Sequence, residues 1–165
     1  MADKGRVLVV DDDETISRLV HTVLEEAGME VETANCGFAG IKKLKESSFD
    51  LLITDIKMPD ITGIELLKIA RTVDNDMQTI VVTAFASLEN AVEALRLGAH
   101  DFILKPFENM DILVEVVKKA LEKHRLLRQN KILLNSLKET NDRLDNENKH
   151  LKEQLDAIMK KLKGK

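Results

Sequence analysis

Carboxylates gather in this chain where apolar runs stop. Residues 6–10, RVLVV, lead into Asp11-Asp12-Asp13-Glu14, and the run LLIT at 51–54 ends at Asp55. Two other polar groups follow apolar runs in the same way: Thr83 comes after QTIVV, and Lys105 comes after HDFIL and before Pro106. Acids collected in one place repel one another and call for a hard cation, and Mg2+ takes carboxylate oxygens of this kind. One carboxylate of such a set can act as a nucleophile toward phosphorus. A hydroxyl and an ammonium beside it can hold the transferred phosphoryl oxygens. These residue types suit phosphoryl chemistry if the fold brings the four places together.

The elements that must do so are written in the periodicity. Residues 6–10, 29–34, 49–54, 78–82 and 100–104 read as strands. Between them, Ile16, Leu19, Val20, Val23 and Leu24 recur at helical spacing and stop at Gly28. A helix over 37–45 places Phe38, Ile41 and Leu44 on one face, and another over 61–73 has Ile64, Leu67 and Ile69 as core candidates. Residues 88–97 are helical and stop at Gly98, and a long helix starts near Asn109. Strand and helix alternate, which predicts a parallel sheet with helices on both faces and right-handed crossovers. The first, third and fourth strands lack polar alternation, as strands covered on both faces should. In a parallel sheet the carboxyl ends share one edge, and ligands sit at that edge in open α/β folds. Met58-Pro59 and Gly63 then shape the loop that leaves Asp55.

Bulk properties narrow the class. The 165 residues suit one domain with an extension, and 44% are apolar, enough for a core. The net charge of -4 and the absence of Tyr and Trp argue against nucleic-acid binding. Cys36 stands alone, which excludes an internal disulfide and fits a reducing cytoplasm; in a loop before a helix it reads as a small filler. No run is long enough to span a membrane, the N-terminus has no signal-peptide pattern, and the four histidines lack zinc-site spacing. A cytoplasmic protein without membrane contact is expected.

Together, VVDDDE at 9–14, DIKMPDITG at 55–63, TA at 83–84 and KPF at 105–107 closely resemble the receiver domain of bacterial two-component response regulators. The pieces stand in that family's order, and the match covers about residues 5–124. The stretch AVEALRLGAHDFILKPF is most similar to receivers of the nitrogen-regulator type. The resemblance implies a flavodoxin-like, doubly wound five-stranded parallel sheet in the order 2-1-3-4-5. It implies that Asp55 accepts a phosphoryl group from a phosphohistidine on a sensor histidine kinase. Asp12 and Asp55 would ligate Mg2+, with Asp11 acting through water and the backbone carbonyl of Lys57 as a further ligand. Lys105 would pair with the phosphoryl oxygens, and Thr83 would move to hydrogen-bond one of them. Phe102 would be the aromatic that turns inward when Thr83 moves. Pro106 would follow a cis peptide that aims Lys105.

Each residue also has a plainer reading. Asp13 or Glu14 can simply cap the next helix, Asp55 can form a turn before Pro59, and Thr83 can be a helix-entry residue. Phe102 can be core, and Lys105 can be a solvated lysine. None of these alone explains acids at the ends of two separate strands. Lys57 and Phe85 follow Asp55 and Thr83 by two residues each, so both should flank the phosphoryl pocket, and the bulk of Phe85 should slow attack by water.

Beyond residue 124 the chain has no Pro, and its only Gly is Gly164. Residues 1–124 are expected to form the receiver and 125–165 a coiled-coil dimerisation helix. Leu137, Leu144, Leu151 and Ile158 fall at heptad position d, with Asn130 in register; Leu127, Leu134, Asn141, Asn148, Leu155 and Leu162 fall at a. Leu at d with Asn at a favours a parallel homodimer of fixed register. Glu147 at g can meet Lys152 at e of the partner copy. The bland alternative is one amphipathic helix packed on its own receiver. From Leu127 onward there are ten Lys or Arg against six Asp or Glu, but the signs are interspersed, as in a solvated coil rather than a nucleic-acid surface.

Two other readings compete. One is a receiver-plus-linker fragment of a longer transcription regulator with ATPase and DNA-binding parts. The other is a phosphoaspartate-type hydrolase, which calls for a second acid two residues after the nucleophile, where this chain has Lys57.

Overall fold

The computed structural model describes residues 4–165. They divide into two units, one running to Leu126 and the other Leu127–Lys165. In the first unit, β1 (Arg6–Val10), β2 (Glu30–Ala34), β3 (Leu51–Thr54), β4 (Gln78–Thr83) and β5 (Asp101–Leu104) form one parallel sheet in the order β2-β1-β3-β4-β5. Helices α1 (Glu14–Glu26), α2 (Gly37–Glu46), α3 (Gly63–Val73) and α4 (Leu88–Arg96) fill the crossovers. The last helix, α5 (Met110–Lys163), contributes residues to both units. This is the flavodoxin-like order expected from the resemblance.

Strand residues alternate between two apolar layers. Val7, Val9, Leu51, Ile53, Ile80 and Val82 pack with Val20 and Leu24 of α1 and with Leu113, Val117 and Ala120 of α5. Leu8, Val10 and Leu52 pack with Leu44 of α2 and with Leu66 and Ala70 of α3, while Val81 packs with Leu67 and with Ala94 of α4. Burying each large aliphatic side chain stabilises the fold by ~1.5–3 kcal/mol. The register pairs Val10 with Thr54, Thr54 with Val81, and Val81 with Phe102, so the carboxyl ends of β1, β3, β4 and β5 lie side by side.

Local chemistry sets the helix starts. Asp13 caps α1 by accepting the N–H groups of Thr15 and Ile16. Thr62 and Glu65 form a capping box that delays α3 to Gly63, two residues after the start expected from periodicity. Ser87 accepts the N–H of Asn90 at the start of α4.

Several side-chain expectations are corrected. Phe38 is 63% exposed and does not share the buried face of α2; Gly37, Gly40 and Leu44 form that face. The reason is close approach, since a Cβ on Gly40 would come within 2.9 Å of Val10. Leu19 is exposed while Ser17 takes a buried position on α1, and Ile69 is only half-buried while Leu66 and Ala70 are buried on α3. Thr83 is the last residue of β4 rather than the first after it.

The second unit, taken by itself, is helical to Lys163, and every side chain from Leu127 onward is exposed. The expected seam residues Leu134, Leu137, Leu151 and Leu155 are each about 60–66% exposed.

Candidate functional site

β1 and β3 are adjacent, so the acids that terminate them meet. Asp55 continues the ladder, its N–H donating to the Val10 carbonyl at 3.0 Å. Asp11 and Asp55 are buried and Asp12 is exposed, and carboxylate oxygens of the three lie within 4.8 Å of one another. β5 supplies the cation: Lys105 Nζ donates to Asp11 Oδ2 at 2.5 Å and to Asp55 Oδ2 at 2.9 Å. The Lys105 N–H donates to the Thr83 carbonyl, tying the end of β5 to the end of β4, and the Lys105–Pro106 peptide is cis.

Backbone groups orient the remaining oxygens. Asp11 Oδ1 accepts the Asp13 N–H at 2.9 Å, and Asp55 Oδ1 accepts the Lys57 N–H at 3.3 Å. Thr83 Oγ1 accepts the Phe85 N–H at 3.1 Å. The Lys57 ammonium stands 4.2 Å from the centre of the Phe85 ring, a cation–π pair joining the loops after β3 and β4. Gly63 lets α3 begin against this loop, because a Cβ there would overlap the Asp55 carbonyl.

The electrostatics follow from crowding. Burial raises the Asp11 pKa from its ordinary value, with the Asp55 charge adding to it, despite hydrogen bonds from Lys105 and Asp13. Burial would lower the pKa of Lys105, but its bonds to Asp11 and Asp55 outweigh that and hold it above the ordinary lysine value. One ammonium among three carboxylates leaves an excess of negative charge. Hard oxygen donors so close together, with Asp11 pushed toward protonation, fit a small divalent cation.

Asp11, Asp12, Asp55 and Lys105 thus come together as the sequence suggested, with Thr83 joined to Lys105 through the backbone. Phe102 is half-buried against the cluster of Ile56, Ile64, Leu67, Val81, Ala94 and Ala99, and Pro106 is exposed. Sequence reasoning missed Asp60. Its carboxylate accepts the Gly37 and Phe38 N–H groups at 3.0 and 2.6 Å and so caps α2, where Cys36 makes no side-chain cap. Burial opposes its ionisation, yet the N–H groups of Phe38, Ile61 and Gly37 prevail and hold its pKa at about 2. Its only sequence signal was an acid directly after Pro59.

An open parallel sheet with an acid pocket at its carboxyl edge and a strand-end lysine defines a class. The response regulator receiver domain profile matches residues 7–118. The chain belongs to this family: it carries a receiver domain of two-component response regulators. It is 37% identical over 118 residues to the regulatory protein AtoC of Escherichia coli (strain K12), covering 72% of this chain and 25% of AtoC. A CheY-like receiver domain protein of Methanospirillum hungatei JF-1 superposes with a TM-score of 0.72 at 40% identity, over 74% of this chain and 98% of that one. The response regulator TrrA of Thermotoga maritima, solved in complex with Mg(2+)-BeF, superposes with a TM-score of 0.64 at 36% identity, over 70% of this chain and 98% of that one. The chain thus spans about a quarter of the length of AtoC.

Proposed function

We propose that Asp55 is the phosphoacceptor of a signalling switch driven by a sensor histidine kinase. The observation that carries this is the Lys105 ammonium bridging Asp11 and Asp55 within an acid cluster at the sheet edge. A carboxylate oxygen of Asp55 attacks the phosphorus of a phosphohistidine, the P–N bond breaks, and the imidazole leaves with the electron pair. Lys105, already placed by Asp11, pairs with the phosphoryl oxygens. The Thr83 hydroxyl gives up its bond from Phe85 and donates to one of those oxygens. Asp12, Asp55 and the Lys57 carbonyl would hold a Mg2+ ion, with Asp11 acting through water, and the ion would supply charge neutralisation for the phosphoryl group. Water later hydrolyses the acyl phosphate and returns the carboxylate, a slow self-dephosphorylation and the only other turnover the chain carries out.

The switch follows from differential contact, since only the phosphorylated state offers Thr83 an acceptor. Phe102 fills the space that Thr83 leaves, and the face of α4, β5 and α5 changes. We further propose that residues 125–165 form a parallel coiled-coil homodimer, in which Asn141 and Asn148 each pair with themselves. The reading includes a cytoplasmic location and no direct nucleic-acid contact; among the described residues no helix is long and apolar enough to cross a membrane.

A second reading, supported by the share of AtoC that the match covers, is a receiver-plus-linker piece of a longer transcription regulator. It leaves the chemistry at Asp55 unchanged. Incubation with acetyl phosphate and Mg2+ tests the acceptor role by intact mass. Wild type should gain one phosphoryl group and Asp55→Ala none; no gain on wild type, or an equal gain on both, refutes it.

A further inference from the structure

Helix α4 is held unequally at its two ends. Within α4 only Ala94 is buried, and Leu88 and Leu95 are 82% and 54% exposed. At its amino end, residues 84–89 are exposed without interruption, and this stretch follows Thr83 directly. At its carboxyl end the chain turns at Gly98, whose φ is +83°.

That turn is gripped by Arg71 of α3. Its Nε donates to the Leu97 carbonyl at 3.2 Å, and Nη2 donates to the Gly98 carbonyl. Nη1 donates to the carbonyls of Asn75 at 2.8 Å and Met77 at 3.3 Å. One planar guanidinium thus joins the turn before β4 to the turn after α4, and the fork geometry is what allows four acceptors at once. A Cβ on Gly98 would approach Nη2 to 2.8 Å, so glycine serves both the positive φ and the guanidinium. Besides the packing of Ala94 against Leu67 and Val81, an exposed ion pair joins α3 to α4, Lys68 to Glu93 at 3.1 Å. Exposed pairs of this kind contribute little.

We infer that Arg71 makes the carboxyl end of α4 a fixed pivot, so that a change at Thr83 swings the amino end and re-aims the Leu88–Leu95 stripe. Arg71 is a positioning residue and takes no part in phosphoryl transfer. The inference rests on Asp55 being the phosphoacceptor, which the mass gain on acetyl phosphate reports separately.

Site-resolved amide exchange on the full chain, with and without acetyl phosphate and Mg2+, tests it. On phosphorylated wild type, the amides of Ala91 to Glu93 should change exchange rate by about tenfold or more, and those of Leu97 to Ala99 by less than about twofold. Arg71→Lys keeps the charge but loses the fork. In it and in Arg71→Ala, the Leu97 to Ala99 amides should exchange about tenfold faster before phosphorylation, and the contrast between the ends should vanish. Phosphoryl uptake should be unchanged in both variants. A wild type that takes up phosphoryl yet responds equally at both ends overturns the pivot, as does an Arg71→Lys protein whose turn exchanges at the wild-type rate. The wild-type result decides the matter even if Arg71→Ala does not fold.

Discussion

Beside the acid cluster, Lys57 and Phe85 lean on each other across two loops, and their backbone N–H groups bond to the side chains of Asp55 and Thr83. If Asp55 is the phosphoacceptor proposed above, this pair would narrow the path of water to its acyl phosphate. Phe85→Ala should speed hydrolysis of the acyl phosphate by roughly tenfold, equivalent to ~1.4 kcal/mol of barrier, read as the decay of phosphorylated protein by intact mass. An unchanged decay rate sinks the idea. Asp60 makes a prediction about pH. Its folded pKa is depressed from 3.8 to about 2, so its contribution is present above the unfolded value and is lost as pH falls through that window. Asp60→Asn should therefore lower stability at neutral pH, and the gap to wild type in urea melts should close between about pH 4 and pH 2. The acids at Asp11 and Asp55 were legible because each ends an apolar run. Asp60 was not, because its partners Gly37 and Phe38 lie on another crossover and no local spacing announces them.

Helix α2 shows why element faces are harder to read than element positions. Its apolar spacing pointed Phe38 inward, but β1 approaches so closely at Val10 that Gly40 occupies the contact, while Gly37 packs under Ile61. Phe38→Ala should shift stability by less than about 0.5 kcal/mol, as surface changes do. Gly40→Val should cost ~1–3 kcal/mol by overpacking against Val10, measured by denaturant unfolding; the reverse order would contradict this packing. Helix α4 has a similar ambiguity. The hydrophobic pattern of Leu88, Val92 and Leu95 is as regular as that of a core helix, yet these residues are exposed. Periodicity reports a shared face and not what covers it. The sheet itself was legible, since β1, β3 and β4 are covered on both faces and so read as unbroken apolar runs.

For the whole molecule, the receiver and the tail make separate claims. In the proposed coil, the seam from Leu127 to Leu162 would carry polar layers at Asn130, Asn141 and Asn148, and these would set the register at a cost in apolar gain. Light scattering should find a dimer, and Leu137→Lys with Leu151→Lys should leave a folded monomer that still takes up phosphoryl. A monomeric wild type would refute the coil. The proposed switch depends on which carboxylate carries the phosphoryl group. Borohydride reduction of the phosphorylated protein, followed by peptide mass analysis, locates the acyl phosphate directly. The prediction is conversion of Asp55 alone, with Asp11 and Asp12 untouched; reduction at either of those two acids, or at any other, would contradict it.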